Sequence, residues 1–228
     1  MKLRLQFAPL LVLASFCQAQ VVDRMVAVVN KHVILESELD QAARVEFLLQ
    51  GKPLGDGKFN RKDALAVLDR LVDQALLDQQ IINQAVLDPT PAELSAQIKE
   101  VRKQVPGAAT EEGWKSVLST YGLTEQDIAE QLTSQSRILR FVDLRFRGLV
   151  RVEKDAVDAY YQDKLLPELR KRGAVEPKLS EVSERIENVL VEQRIDELLA
   201  NWLQTLRSQA HIEKMLAEPG SATSGATL

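Results

Sequence analysis

Cysteine, histidine, glycine and proline are all scarce in this chain of 228 residues. There is one cysteine, Cys17, and there are two histidines, His32 and His211. With 10 glycines and 8 prolines, long stretches run without a helix breaker, which favours helices. The sequence has no G-x-S-x-G, no phosphate-binding glycine loop and no H-E-x-x-H motif. The usual signatures of serine hydrolases, nucleotide-binding enzymes and zinc proteases are therefore missing.

The first 19 residues are typical of a secretory leader. Lys2 and Arg4 precede an apolar run at residues 7–16, which is too short to span a bilayer. Cys17 and Ala19 are small residues at the −3 and −1 positions of a cleavage site. We expect cleavage after Ala19 and export of the mature chain. Lipidation of Cys17 is the alternative, although the bulky residue before it disfavours that reading. Cleavage would remove the only cysteine, and with it any disulfide or thiol nucleophile.

The charge of the chain argues against two classes of partner. The formal net charge is −4, and loss of the basic leader makes the mature chain more acidic. Nucleic acids and anionic membranes both require a basic surface, so neither is an expected partner. One local exception is a group of arginines, which we interpret as a solvated helix face with cations near the helix C-terminus: Arg137, Arg140, Arg145 and Arg147.

The stretch VVDRMVAVVNKHVILESEL, residues 21–39, predicts a β-hairpin that leads into a helix. Residues 25–29 and 33–35 form the two strands, and Ser37 caps the following helix. The first strand is apolar on both faces and needs cover on both. Because an isolated hairpin is only marginally stable, we expect a third strand, for which residues 211–215 are the candidate.

The remainder of the chain is predicted to be mostly helical. Apolar residues recur at helical spacing, and the stripe of the helix at 125–146 consists of Ile128, Leu132, Leu139, Val142 and Phe146. The predicted helix caps are Asn60, Thr90, Thr110, Thr124 and Ser180. Gly122 ends one helix, Pro167 ends or kinks another, and we see no internal repeat. The predicted fold is therefore mainly α, with a small sheet that the C-terminal strand joins. The predicted helices cover residues 37–50, 61–86, 91–104, 111–121, 125–146, 154–166 and 181–208.

Candidate catalytic groups are few. Either His32 or His211 is a candidate general base, and the two are candidates for a weak metal site if their strands pair. The simpler interpretation is that both histidines are solvent-facing polar residues beside a sheet. The carboxylates of Glu36, Glu38 and Asp40 lie at a helix start, where the helix dipole favours anions. We predict no catalytic, cofactor-binding or metal-binding residue.

Four segments of the sequence resemble the SurA N-terminal domain family of periplasmic chaperones. They are VVDRMVAVVNKHVILESELD at residues 21–40, DRLVDQALLDQQ at 69–80, FRGLVRVEKDAVDAYYQDK at 146–164, and the helix and strand at 179–215. The opening motif is the most specific of them. The resemblance covers nearly all of the mature chain.

The resemblance implies a division of the chain into five parts. A signal peptide (1–19) precedes a SurA-like helical domain (20–150). A connecting helix and linker (151–178) lead to a helix and strand that pack back on that domain (179–215), and a tail predicted to be disordered follows (216–228). In relatives a parvulin prolyl isomerase module lies within the connecting region. The linker here is far shorter than the roughly 50 residues that a domain needs, so we expect no isomerase activity.

The function that the resemblance implies is that of an ATP-independent holdase in the periplasm. Its clients would be unfolded exported polypeptides, above all outer-membrane β-barrel proteins, and it would use no cofactor. Tyr160 and Tyr161 are neighbours on one helix and cannot both face a core. Because this helix adjoins the place of the missing module, we predict that one wall of the client-binding groove is formed by Tyr160, Tyr161, Leu165 and Leu166. Two alternatives stay open: a non-catalytic assembly subunit with one fixed protein partner, and a helical protein that binds a small molecule or metal.

Overall fold

A computed structural model describes residues 23–54, 59–81 and 84–216 of the chain. The predicted leader and nearly all of the predicted tail lie outside these residues. The fold is mainly α with a small antiparallel sheet, as the sequence predicts. The helices are α1 (Glu36–Leu49), α2 (Arg61–Asp78), α3 (Gln84–Leu87), α4 (Pro91–Gln104), α5 (Glu111–Tyr121), α6 (Glu125–Phe146), α7 (Lys154–Tyr160), α8 (Leu166–Lys171) and α9 (Leu179–Gln209).

The sheet joins the two ends of the described chain. Its strands are β1 (Met25–Val29), β2 (His32–Leu35) and β3 (Ile212–Lys214), in the order β2-β1-β3. β3 pairs antiparallel with β1, with Val29 opposite Ile212. The predicted third strand is therefore confirmed. As the central strand, β1 is covered on both faces, which explains why it is apolar throughout.

The turn between β1 and β2 also holds the C-terminal segment. Asn30 adopts a positive φ of 59°, a conformation that asparagine tolerates better than most residues. Its backbone N–H donates to the His211 carbonyl at 2.7 Å, and its side-chain oxygen accepts from the His211 N–H at 2.9 Å. The turn therefore positions β3 as well as reversing the chain.

Helix starts agree with the predicted caps at α2, α4, α5 and α6 and differ at two others. Thr90 and Thr124 each form a reciprocal capping box, with Glu93 and Asp127 respectively. The predicted caps at Ser37 and Ser180 are wrong, because α1 begins at Glu36 and α9 at Leu179 without a side-chain cap. At α1 the Asp23 carboxylate takes over this role and accepts from the Ser37 N–H at 3.2 Å.

The predicted second helix is too long. α2 ends at Asp78 and α3 is a separate turn of helix, whereas the sequence pattern continues to residue 86. Gln79, just past the end of α2, accepts a hydrogen bond from Asn30 at 2.7 Å and donates one to the Val29 carbonyl at 3.3 Å. These bonds tie the end of α2 to the hairpin, a tertiary constraint that local spacing does not reveal.

The predicted effect of Pro167 is also only partly correct. α7 passes through a π-helical turn, Tyr161–Leu165, into α8, which continues to Lys171. In the π-helical turn the Leu166 N–H donates to the Tyr161 carbonyl, five residues back. Pro167 then falls in the first turn of α8, a position that tolerates a missing N–H, so it does not end the helix.

Three apolar clusters stabilise the fold. The first packs the sheet on α1 and α2 and includes Leu206, Ile212 and Leu216 from the C-terminal segment. The second surrounds Trp114, which is fully buried, between α1, α5 and α6. The third packs the end of α6 on α9 around Ile195 and Trp202. Within the described residues, no helix is both long and apolar enough to cross a bilayer.

Candidate functional site

Large apolar side chains are exposed where α3, α6 and α9 meet. The predicted apolar stripe of α6 is correct for Ile128, Val142 and Phe146, which are buried, but not for Leu139, which is 69% exposed. Leu144 on the same helix is 74% exposed, and Val86 on α3 is 72% exposed. No neighbouring element in the described chain covers these side chains. Leu139, which the helical spacing assigns to the core, is therefore at the surface.

These residues line a surface groove of about 680 Å³, which we call the α6–α9 groove. Its volume is in the range of ligand-binding clefts. Its apolar lining is drawn from three helices, so no single sequence segment carries the site. The apolar lining residues are Val86, Leu87, Ile138, Leu139, Val142, Leu144, Ile195 and Leu199.

Ion pairs hold the rim of the groove. Arg140 donates to the Glu93 carboxylate at 2.7 Å and to the Asp88 carbonyl at 2.9 Å, which fixes the α3–α4 corner on α6. Arg147 donates to Glu192 and to Asp143 and so links α6 to α9. Hydrogen bonds from the Thr90 backbone and from Arg140 lower the pKa of Glu93 to about 2. Both arginines of the rim are paired, Asp196 has no ion pair among the described residues, and the apolar lining remains open.

The interpretation of the α6 arginines as a solvated face is only partly correct, because Arg145 and Arg147 are exposed but all four contact neighbouring elements. Besides Arg140 and Arg147, Arg137 donates to Asp88 at 2.7 Å, and the Arg145 guanidinium lies 4.1 Å from the centre of the Trp202 ring. The Arg137 side chain is only 17% exposed. These guanidiniums join α6 to its neighbours because acidic and aromatic partners from distant segments meet them.

Asp78 is the least satisfied polar group near this cluster. Its Oδ1 atom is buried without a hydrogen-bond partner, and the nearest cation, the Arg137 Nη1 atom, is 4.0 Å away. Burial raises the pKa of Asp78, with the charges of Arg137 and His32 opposing that rise. Asp78 lies outside the lining of the groove, and Arg137, its nearest cation, also donates to the Asp88 carboxylate at 2.7 Å.

Comparison with known proteins identifies the family of the chain. Residues 5–140 match the SurA-like N-terminal domain family, which is more than half of the chain. The chain belongs to this family. A curated relative is Chaperone SurA from Hahella chejuensis (strain KCTC 2396), 29% identical over 160 residues, or 68% of this chain. The match covers 35% of that relative, so this chain spans only about a third of the length of the SurA protein it resembles.

The α8–α9 connection is where the family resemblance places a parvulin module. α8 ends at Lys171 and α9 begins at Leu179, so only residues 172–178 separate them. Gly173 has a positive φ of 62° and reverses the chain, and Arg170 donates to Glu176 at 2.8 Å across the turn. This short, self-bonded connection has no space for an inserted domain.

The client-binding wall predicted from the sequence lies on α7, the π-helical turn and α8, apart from the α6–α9 groove. The Tyr161 hydroxyl donates to the Pro177 carbonyl at 2.7 Å, and Leu166 is only 6% exposed. Tyr160 and Leu165 are partly buried. In this conformation Tyr161 and Leu166 are engaged within the chain, so the assignment of these four residues stays a prediction.

The two histidines flank the same end of β1. His32, in β2, pairs with Val29 of β1, and His211 immediately precedes β3 on the opposite side of β1. The His211 Nε2 atom lies 2.9 Å from the Glu213 carboxylate. In the part of the chain that the structure describes, no group of three or more His, Cys, Asp or Glu side chains is arranged to hold a metal ion.

Sequence reasoning missed the α6–α9 groove because it assigned Leu139 to the buried stripe of α6 and left Leu144 out of the argument. One signal was available, since Leu144 does not share the helical face of Ile128, Val142 and Phe146. A helix with apolar residues on a second face either contacts two neighbours or exposes one face. Only the packing of α9 and α3 decides between these outcomes.

Proposed function

We propose that this chain is an ATP-independent periplasmic chaperone that holds unfolded exported polypeptides, including outer-membrane β-barrel proteins, and that their apolar segments bind in the α6–α9 groove. Family membership and the relative named Chaperone SurA support the chaperone role. The observation that carries the site is the exposure of Leu139, Leu144 and Val86 around one groove.

The physical case for the groove rests on its apolar lining and on the pairing of its rim arginines. Exposed apolar surface that is gathered in one place marks an interaction site more often than scattered apolar residues do. Transmembrane β-strands alternate apolar and polar residues, so an unfolded barrel protein presents many short apolar segments. A groove whose arginines are paired, and whose lining is mainly apolar, accepts such segments with little dependence on sequence. When the chaperone binds an unfolded client, that client is kept from aggregating, and this binding requires no nucleotide.

The proposed activity excludes prolyl isomerisation. The short α8–α9 connection supports this part of the proposal, because residues 172–178 contain no histidine, cysteine or aspartate for a parvulin-type site. The expected result is that the purified chain leaves the isomerisation rate of a proline-containing peptide at its uncatalysed value. A measurable acceleration would contradict this part.

The first experiment tests the groove by light scattering. The wild-type chain should suppress aggregation of a urea-unfolded outer-membrane barrel protein at stoichiometric concentration without nucleotide. Leu139→Ser combined with Leu144→Ser should weaken client binding on the order of tenfold, because each leucine loses part of the roughly 1.5–3 kcal/mol that its burial would contribute. Since both are exposed, the free energy of unfolding should stay within about 0.5 kcal/mol of wild type.

A matched control is Val175→Ser, because Val175 is 90% exposed but lies in the α8–α9 connection, away from the groove. This variant should suppress scattering as well as wild type does. Failure of the wild-type chain to suppress scattering would refute the holdase proposal. Binding to one folded protein at fixed stoichiometry, with no affinity for unfolded chains, would instead favour an assembly subunit.

A further inference from the structure

A second cavity, of about 450 Å³, lies between α1, α2 and α6. Its floor is apolar and includes Val45, Val67 and Leu71, all of which are buried. Its walls carry an unusual number of side-chain amides, so we call it the amide pocket. The amides are those of Gln50, Gln74, Gln131 and Gln135.

The amide pocket is polar but electrically balanced. Its charged residues, Glu46 and Arg70, form an ion pair with each other. Gln74 donates to the Ser134 hydroxyl at 2.8 Å. Across the described chain, neither Gln131 nor Gln135 has a side-chain hydrogen bond within the protein, so both keep their donors and acceptors available. An amide offers a donor and an acceptor together, as does the backbone of an unpaired extended peptide.

The amide pocket and the α6–α9 groove share one face of α6. Residues 131, 135, 138, 139 and 142 follow the spacing i, i+4, i+7, i+8 and i+11, which places them along a single side of a helix. Gln135 lines the amide pocket and Leu139, one turn later, lines the groove. At about 1.5 Å per residue, the track from residue 131 to residue 142 is about 16 Å long.

The spacing along this track matches that of an extended polypeptide. Gln131, Gln135 and Leu139 are each four residues apart, which corresponds to steps of about 6 Å along the helix. Alternate residues of an extended strand are about 6.6 Å apart and point their backbone groups in the same direction. Two alternate backbone groups of a bound strand would therefore meet Gln131 and Gln135, while a side chain further along would reach Leu139.

We propose that the amide pocket binds the backbone of an extended client segment, so that Gln131 and Gln135 recognise peptide groups while the adjoining groove takes apolar side chains. This inference rests on the proposed holdase function and deepens it. Recognition of the backbone explains how one site binds many sequences, since every residue except proline presents both an N–H and a C=O group. It also requires that the client be extended, because helical segments satisfy these groups internally.

The first test uses the wild-type protein and a peptide scan. The probe is a fluorescently labelled twelve-residue peptide of alternating phenylalanine and threonine with a lysine at each end. Its backbone nitrogens are methylated one at a time, which removes single N–H donors. We expect affinity losses of about fivefold at positions two residues apart and little change between them. Equal effects at all positions, or none at any position, would overturn the proposal.

The second test is a double-mutant cycle with the Gln131→Leu, Gln135→Leu protein. Leucine keeps most of the side-chain volume and removes the hydrogen bonds, so binding of the unmethylated peptide should fall about 20-fold if the amides contact the backbone. Methylation at the sensitive positions should then cost nothing further. If the pocket contributes only apolar contact, these substitutions should leave affinity unchanged or raise it, which would contradict the proposal.

Controls separate this inference from the proposed function. Gln204→Leu replaces an exposed glutamine on α9 outside both cavities and should leave binding unchanged. Gln135→Ala alone, at an exposed position, repeats the test if the double variant does not fold. Suppression of scattering that depends on Leu139 but not on Gln131 and Gln135 would refute backbone recognition and leave the holdase proposal standing. Suppression that depends neither on Leu139 nor on the two glutamines would refute both the assignment of the groove and backbone recognition.

Discussion

At the scale of single residues, charged side chains in this protein act mainly as connectors. The Glu93 carboxylate accepts from the Thr90 N–H at 2.7 Å and from Arg140 at 2.7 Å, so one side chain both caps α4 and ties it to α6. Arg145 lies over an aromatic ring, and Arg147 bridges α6 and α9. A planar guanidinium suits such sites because it can form several directed bonds at once.

Glu93 gives a pH-dependent prediction for stability. Its folded pKa of about 2 is below the ordinary value of 4.5, so its contribution is present above pH 4.5 and is lost as the pH falls towards 2. Glu93→Gln should therefore lower the free energy of unfolding at pH 7, and its difference from wild type should shrink as the pH falls to 3. Urea unfolding at the two pH values measures this.

The matched control for Glu93 is Glu184→Gln on α9. Glu184 is exposed and forms no ion pair among the described residues. This substitution should cause no comparable loss of stability at pH 7. If Glu93→Gln were equally destabilising at pH 7 and pH 3, the charge of Glu93 would not be the source of its effect.

At the scale of elements, the ends of the helices set the path of the chain more than their interiors do. α5 ends at Gly122 in the left-handed conformation, with φ of +63°, and the chain turns directly into the Thr124 cap of α6. The Arg44 guanidinium donates to the adjacent Tyr121 carbonyl at 3.1 Å. This corner therefore brings α1, α5 and α6 together around Trp114.

Gly122→Ala tests the importance of that corner. A Cβ at this position would lie 3.1 Å from the Arg44 Nη1 atom, and an L-residue resists the left-handed conformation. We expect a loss of roughly 1–2 kcal/mol in the free energy of unfolding, measured by urea titration. Gly148→Ala, where the added carbon meets nothing within 4 Å, should change stability by less than about 0.5 kcal/mol. Equal losses at both positions would contradict this explanation.

At the scale of the whole molecule, the C-terminal helix and strand complete both the core and the site. α9 is 31 residues long, and β3 follows it into the sheet. Arg207 on α9 donates to Asp73 on α2 at 2.6 Å and 2.8 Å. The same helix forms one wall of the α6–α9 groove, so stability and proposed client binding both depend on it.

Removal of residues 179–228 should therefore abolish cooperative unfolding. The truncated chain loses the partner of β1 and exposes the apolar cluster around Phe146, whose ring centre lies 5.7 Å from that of Trp202. Scanning calorimetry should show no sharp transition. Removal of residues 217–228 alone is the control and should leave the melting temperature unchanged, because no described contact is lost. An unchanged transition in the longer deletion would refute the proposed closure of the fold.

The sequence alone determined the elements whose causes are local. Capping residues at Asn60, Thr90, Thr110 and Thr124 and the glycine at 122 predicted helix boundaries correctly, because their hydrogen bonds form within a few residues. The marginal stability of an isolated hairpin predicted a third strand, and β3 pairs with the free edge of β1. The apolar character of β1 on both faces separately predicted that both faces are covered.

Tertiary structure decided the features whose causes are distant. The end of α2 depends on the bonds of Gln79 to the hairpin, and the α6 arginines depend on acids and rings far away in sequence. Whether Leu139 is core or surface depends on where α3 and α9 stop covering α6. Helical periodicity identifies an apolar face, but only the packing of the other helices determines whether that face is buried or left open for a partner.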